Sequence, residues 1–133
     1  MELVNFTLNK DLIALEVDGK YLDLHNNYDF KGFIQDSSAI EIKWSIAKGG
    51  WVPSNIPSQL TLKIEGISYF EQRGDLSGVK DIEELGFFEN STLGKVEYNG
   101  SNEPQDGSSL LLLRFVGGSE IAVIGNQASC FSQ

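Results

Sequence analysis

The chain is poor in cysteine, in long apolar runs and in positive charge, and each shortage excludes a class of protein. Its one cysteine, Cys130, cannot close an intramolecular disulfide, which favours a reducing compartment. No apolar run approaches the roughly 20 residues of a membrane-spanning helix. The first residues lack the basic and apolar regions of a secretory signal. We therefore expect a cytoplasmic protein with no membrane partner.

Histidine is also scarce, and this limits the catalytic and metal-binding possibilities. His25 and Cys130 form the only Cys-His combination, whereas a zinc site normally takes three or four such ligands. Glycine motifs for phosphate or dinucleotide binding are missing from the sequence. We expect no catalytic residue, no metal and no cofactor.

An enzyme that uses Asp23 and His25 remains an alternative. In a strand over residues 21–25, alternation places Asp23 and His25 on one face, where a carboxylate beside an imidazole suits acid-base chemistry. Leu22 and Leu24 occupy the other face and mark the buried side. The polar face is therefore expected to meet water instead of forming a site.

Acidic residues outnumber basic ones, 19 to 10, which gives a net charge of -9 and disfavours nucleic acid as a partner. Between residues 81 and 106, seven carboxylates are opposed by Lys95 alone, so this segment holds -6 of the total. The segment is interpreted either as a solvated face or as a docking surface for a basic protein. Its candidate partner-binding residues are Asp81, Glu83, Glu84, Glu89, Glu97, Glu103 and Asp106.

Alternating apolar and polar residues predict a single all-β domain over residues 1–133, either an antiparallel β-sandwich or a partly open barrel. The cleanest alternation covers residues 40–46 and 60–65, and it places Trp44 in the core. The first 25 residues predict an antiparallel meander, and residues 95–98 a short strand. One short helix is predicted over residues 81–86, because Asp81 and Glu84 have the spacing of a capping box and Gly86 suits a helix end.

A β-hairpin over residues 110–124 is the clearest local prediction. Gly117 and Gly118 suit the positive φ angles of a two-residue turn between two apolar runs. Because residues 110–113 are apolar on both faces, their strand is expected to lie inside a sheet and to be covered on each side.

Trp51 lies in a connection rich in glycine and proline, so it is not assigned to the core. An exposed tryptophan on a β-sandwich is a suitable stacking surface for a sugar ring. Trp51 is therefore the candidate residue for the first alternative, a small-ligand or carbohydrate-binding β-sandwich, and the enzyme that uses Asp23 and His25 is the second.

Three segments resemble a group of known proteins: Leu-Thr-Leu-Lys-Ile-Glu-Gly-Ile-Ser-Tyr-Phe at 60–70, Ile-Glu-Glu-Leu-Gly-Phe at 82–87, and Leu-Leu-Leu-Arg-Phe-Val-Gly-Gly-Ser-Glu-Ile-Ala-Val at 111–123. Together they resemble small, poorly characterised all-β bacterial proteins, some of which are immunity proteins of polymorphic-toxin systems. The resemblance covers the C-terminal half and carries over no functional residue. It implies a stoichiometric, non-enzymatic protein-interaction module, which is our leading expectation.

Overall fold

A computed structural model of the protein describes residues 1–49, 51–88, 100–105 and 109–133, which contain twelve β-strands and no helix. The strands are β1 (Glu2–Leu3), β2 (Thr7–Leu8), β3 (Ala14–Val17), β4 (Lys20–Asp23), β5 (Tyr28–Gln35), β6 (Ala39–Ile46), β7 (Gln59–Glu65), β8 (Tyr69–Arg73), β9 (Ile82–Phe88), β10 (Leu110–Phe115), β11 (Glu120–Ile124) and β12 (Gln127–Ser132). The predicted all-β class is confirmed. The predicted strand over residues 95–98 lies outside the described residues.

The strands form three sheets, none of which closes into a barrel. The five-stranded sheet has the order β1-β12-β7-β6-β5, and the four-stranded sheet has the order β8-β11-β10-β9. The N-terminal meander forms the third sheet, β2-β3-β4, as the turn signals predict. Gly66, with φ of +66°, ends β7 and lets the chain leave the first sheet for the second.

One apolar core is shared by all three sheets. Trp44 on β6 is 1% exposed and belongs to this core, as its alternation with Ile40 and Ile42 predicts. The ring centroids of Phe30 on β5 and Phe115 on β10 lie 4.6 Å apart, so aromatic contacts join the five-stranded and four-stranded sheets directly.

The short helix predicted over residues 81–86 is wrong, because this segment belongs to β9. The register slips between two pairs, from Arg114 opposite Glu84 to Phe115 opposite Ile82. Glu83 is the extra residue of a β-bulge, and Ile82 and Leu85 therefore both enter the core although they are three positions apart. The residues that resemble helix caps have other roles, since Glu84 lies opposite Arg114 and Gly86 lies opposite Leu112 in the sheet.

The predicted hairpin is present, and its strand β10 lies between β9 and β11, as expected. Gly117 and Gly118 have φ angles of 101° and 98°, so both predicted positive values are confirmed. The loop, however, has three residues instead of two, since the Phe115 N–H donates to the Ser119 carbonyl at 2.9 Å. The added residue is Val116, whose N–H donates across to the Asp81 carbonyl.

Residues of β10 are buried on both faces of the four-stranded sheet. Leu111 and Leu113 face the shared core, whereas Leu110 and Leu112 join a second apolar cluster with Ala122 and Ile124. This double burial accounts for the continuous apolar run in the sequence.

Candidate functional site

Of the seven candidate acidic residues, the described structure contains four, which lie on or beside β9 and in the segment 100–105. Asp81 and Glu83 are exposed at the start of β9, and Glu103 is exposed in the segment 100–105. Glu84 is only partly exposed. Glu89, Glu97 and Asp106 lie outside the described residues.

Glu84 belongs to an ionic group on the face of the four-stranded sheet. It lies directly opposite Arg114, whose Nε donates to Glu120 at 3.1 Å. Oε1 of Glu84 is buried and has no hydrogen-bond partner among the described residues. Desolvation raises the pKa of this carboxyl group, against a smaller opposing effect of Arg114. Glu84 is therefore less accessible to a partner than Asp81 or Glu83.

Glu103 lines a groove of about 420 Å³ on the meander sheet, together with Glu16 of β3. The groove is also lined by Thr7, Asn9 and Lys10, so its lining is mostly polar and its charge comes from two carboxylates and one ammonium group. We call this site the acidic groove and define it by Glu16 and Glu103. Both side chains are exposed, and neither has an ion pair or hydrogen bond to another described residue.

One further carboxylate, that of Asp11, lies near Glu16 of the acidic groove through its contact with Tyr21. Tyr21 lies opposite Glu16 in the meander sheet, and its hydroxyl donates a hydrogen bond to Asp11. This hydrogen bond and desolvation raise the pKa of Tyr21, and the charges of Asp11, Asp23 and Glu16 add smaller increases.

A charge count along the sequence misses the contribution of Glu16, because it lies 87 positions before Glu103. The two come together through the segment 100–105, where the Asn102 side chain donates to the Leu8 carbonyl at 3.3 Å. No local pattern in the sequence indicates this contact. Only the fold can identify Glu16 as a residue of the site.

Asp23 and His25 do not form a carboxylate–imidazole pair. Asp23 is 8% exposed, so the expectation that it faces water is wrong. β4 ends at this residue, and its carboxylate accepts the backbone N–H groups of His25 and Asn26 at 2.9 and 2.8 Å. The His25 ring instead contacts the Ile82 carbonyl on β9 through Nδ1, at 2.5 Å. Both side chains stabilise the end of the meander sheet and its contact with β9.

Trp51 is 66% exposed, and its indole N–H donates a hydrogen bond to the Asn26 carbonyl at 3.0 Å. Its ring lies against Gly49, where a Cβ atom would come within 2.0 Å of the ring. The ring is thus positioned by its neighbours while much of its surface remains accessible.

Cys130 is buried in the shared core, and desolvation raises its pKa to about 11, so it packs as an apolar residue. Within the described ranges, no group of three His, Cys, Asp or Glu side chains is arranged to hold a metal ion. The same ranges contain no helix long and apolar enough to cross a membrane.

No model of a known protein family, no curated protein and no solved structure matches this chain. The function is therefore argued from the acidic groove, Trp51 and the charges of the described surface.

Proposed function

We propose that this protein is a non-enzymatic interaction module with a β-sandwich-like fold, which binds a basic protein through its acidic groove. The observation that carries the proposal is the pairing of Glu16 and Glu103 in one groove, with Asp11 and Tyr21 beside it. The resemblance to immunity proteins supports a stoichiometric binder, and the buried Cys130 fits a cytoplasmic location.

Exposed carboxylates without internal ion pairs suit this role, because their charge stays available to a partner. In contrast, Arg114 and Glu120 on the four-stranded sheet form an ion pair with each other at 3.1 Å, so their charges are less available to a partner. Exposed charges contribute mainly to the rate of encounter, over a Debye length of about 8–10 Å. Fast, salt-sensitive association with a cationic partner is the expected behaviour.

A pair of charge-reversal variants tests the proposal. Association with a fluorescein-labelled peptide of alternating lysine and serine is measured by stopped flow at low and physiological salt. In the double variant Glu16→Lys, Glu103→Lys we expect the association rate to fall by roughly tenfold, because steering is lost. Thermal stability should change little, since both side chains are exposed.

The matched control is the double variant Asp81→Lys, Glu83→Lys at the start of β9, which reverses two exposed carboxylates outside the groove and changes the net charge by the same amount. Neither side chain has an ion pair or hydrogen bond to another described residue. An equal fall in both double variants would show that only net charge matters and would overturn the groove as a site.

A second candidate function is binding of a small ligand or carbohydrate at Trp51, favoured by the 66% exposure of its positioned ring. Titration with a panel of neutral oligosaccharides should then change tryptophan fluorescence, and Trp51→Ala should abolish the change. The enzyme that uses Asp23 and His25 gains no support, because the Asp23 carboxylate bonds backbone N–H groups and not the His25 ring.

A further inference from the structure

β5 is the outermost strand of the five-stranded sheet, and part of its outer edge is open. The Phe30 N–H points away from β6 and donates to the Lys80 carbonyl at 2.7 Å. Just after the other end of β5, the Asp36 N–H points toward β6 and donates to the Ala39 carbonyl. Backbone groups of successive residues in a strand point alternately to its two sides, so the N–H and C=O groups of Phe33 and Gln35 point outward, away from β6. No described residue forms a hydrogen bond with these outward groups.

A groove of about 470 Å³ runs beside this open edge. Phe33, Leu76 and Val79 provide its partly buried apolar surface, and Lys31 and Lys80 provide its exposed charge. Among the described residues, no Asp or Glu side chain lines the groove. The edge thus combines backbone hydrogen-bonding groups, an apolar surface and two cations.

Lys31 is the extra residue of a bulge in β5, because the register passes from Phe30 opposite Trp44 to Gly32 opposite Lys43. It also lines a second groove of about 430 Å³ with Lys43 and the half-exposed Phe131. The described lining of this second groove likewise includes no Asp or Glu side chain. In a chain of net charge -9, the described linings of these two grooves thus hold three lysines, Lys31, Lys43 and Lys80, and no carboxylate side chain.

We propose that the open edge of β5 binds an extended acidic segment of another protein, which adds to the five-stranded sheet as a further strand. Main-chain hydrogen bonds to Phe33 and Gln35 hold the segment, and its carboxylates pair with Lys31 and Lys80. Alternate apolar side chains of the segment enter the groove between Phe33 and Val79. This site is separate from the acidic groove, and it binds an acidic ligand whereas the groove binds a basic one.

The probe is a fluorescein-labelled peptide of alternating glutamate and valine, with binding followed by fluorescence anisotropy. In the double variant Lys31→Glu, Lys80→Glu we expect the Kd to rise by roughly tenfold or more. The control double variant Lys20→Glu, Lys48→Glu changes two exposed lysines outside both grooves by the same charge. We expect it to change the Kd by less than about twofold, because distant exposed charges are screened.

Strand addition is tested separately from charge. Two versions of the glutamate–valine peptide are N-methylated on every second backbone amide. One version carries the methyl groups on the odd-numbered residues, and the other carries them on the even-numbered residues. We expect only one of the two sets of methyl groups to abolish binding, because the amides of an added strand point alternately toward and away from the edge. The variant Gln35→Pro, which removes an outward N–H, should also weaken binding.

Equal binding of both methylated peptides, or equal losses in both lysine double variants, would overturn the proposal. The absence of any binding would also overturn it, and would mean that the bulge and Lys31 only prevent the edge of β5 from pairing with another chain. Dimerisation of the protein that Gln35→Pro abolishes would assign the edge to a second copy instead. Because the probe is acidic, none of these results decides whether the acidic groove binds a basic partner.

Discussion

Replacing Gly117 measures how strongly the β10–β11 hairpin depends on backbone conformation. A Cβ atom at Gly117 would have no other atom within 4 Å, so a side chain would meet no steric obstacle. The cost comes instead from φ of 101°, which costs an L-residue roughly 1–2 kcal/mol. The smaller entropy of the unfolded chain offsets about 0.4–1 kcal/mol of that. Gly117→Ala should therefore cost between about 0 and 1.6 kcal/mol, and Gly117→Val, whose β-branched side chain is more restricted, at least about 1 kcal/mol.

Urea unfolding, with the slope compared between variants, gives these values directly. The control is Val116→Ala in the same loop, which changes a half-exposed side chain and should stay within about 0.5 kcal/mol. Gly117→Asn should cost less than Gly117→Val, because asparagine tolerates positive φ better. An unfolding midpoint of Gly117→Val equal to that of the unmodified protein would refute the assigned loop conformation.

Three further predictions concern the core, the ionic group and β9. Tyr28→Phe should cost about 1 kcal/mol in thermal unfolding, because the buried hydroxyl donates to the Pro57 carbonyl at 2.7 Å. Because the folded pKa of Glu84 is raised above its unfolded value, ionised Glu84 destabilises the protein, and stability should rise as pH falls from neutral through that folded pKa. Glu84→Gln should remove this rise and stabilise the protein at pH 7; the same pH dependence in the variant would contradict this. In chemical denaturation, Leu85→Ala should lower the free energy of unfolding by about 2–5 kcal/mol, because Leu85 is buried, and Glu83→Ala should change it almost not at all, because Glu83 is the exposed residue of the bulge. Similar losses in the two variants would contradict the bulge.

Local patterns predicted the strands well where alternation was undisturbed. Trp44 entered the core because its strand keeps a strict period of two, and the hairpin was recognised from its glycine pair. The helix over residues 81–86 is predicted from local capping signals, whereas in the structure Glu84 and Gly86 lie opposite Arg114 and Leu112 of β10, and Glu83 forms a bulge. A bulge is specified by the partner strand β10, which a local window of sequence does not include.

The candidate site could be predicted only in part, because it joins distant segments. Glu103 was identified from local charge density, whereas Glu16 joins it only through the packing of segment 100–105 on the meander sheet. Similarly, Asp23 looked available because alternation places it opposite Leu22, but the chain turns immediately afterwards and its carboxylate caps that turn. Such tertiary contacts are not visible in single-sequence periodicity.

The most direct test of the acidic groove is an NMR titration of the isotope-labelled protein with the lysine–serine peptide at low salt. We expect the largest amide shifts at residues 7–16, 21 and 102–103, and loss of these shifts in the double variant Glu16→Lys, Glu103→Lys. Shifts spread evenly over the acidic residues of the five-stranded sheet, or retained in the double variant, would contradict a localised binding site for a basic partner.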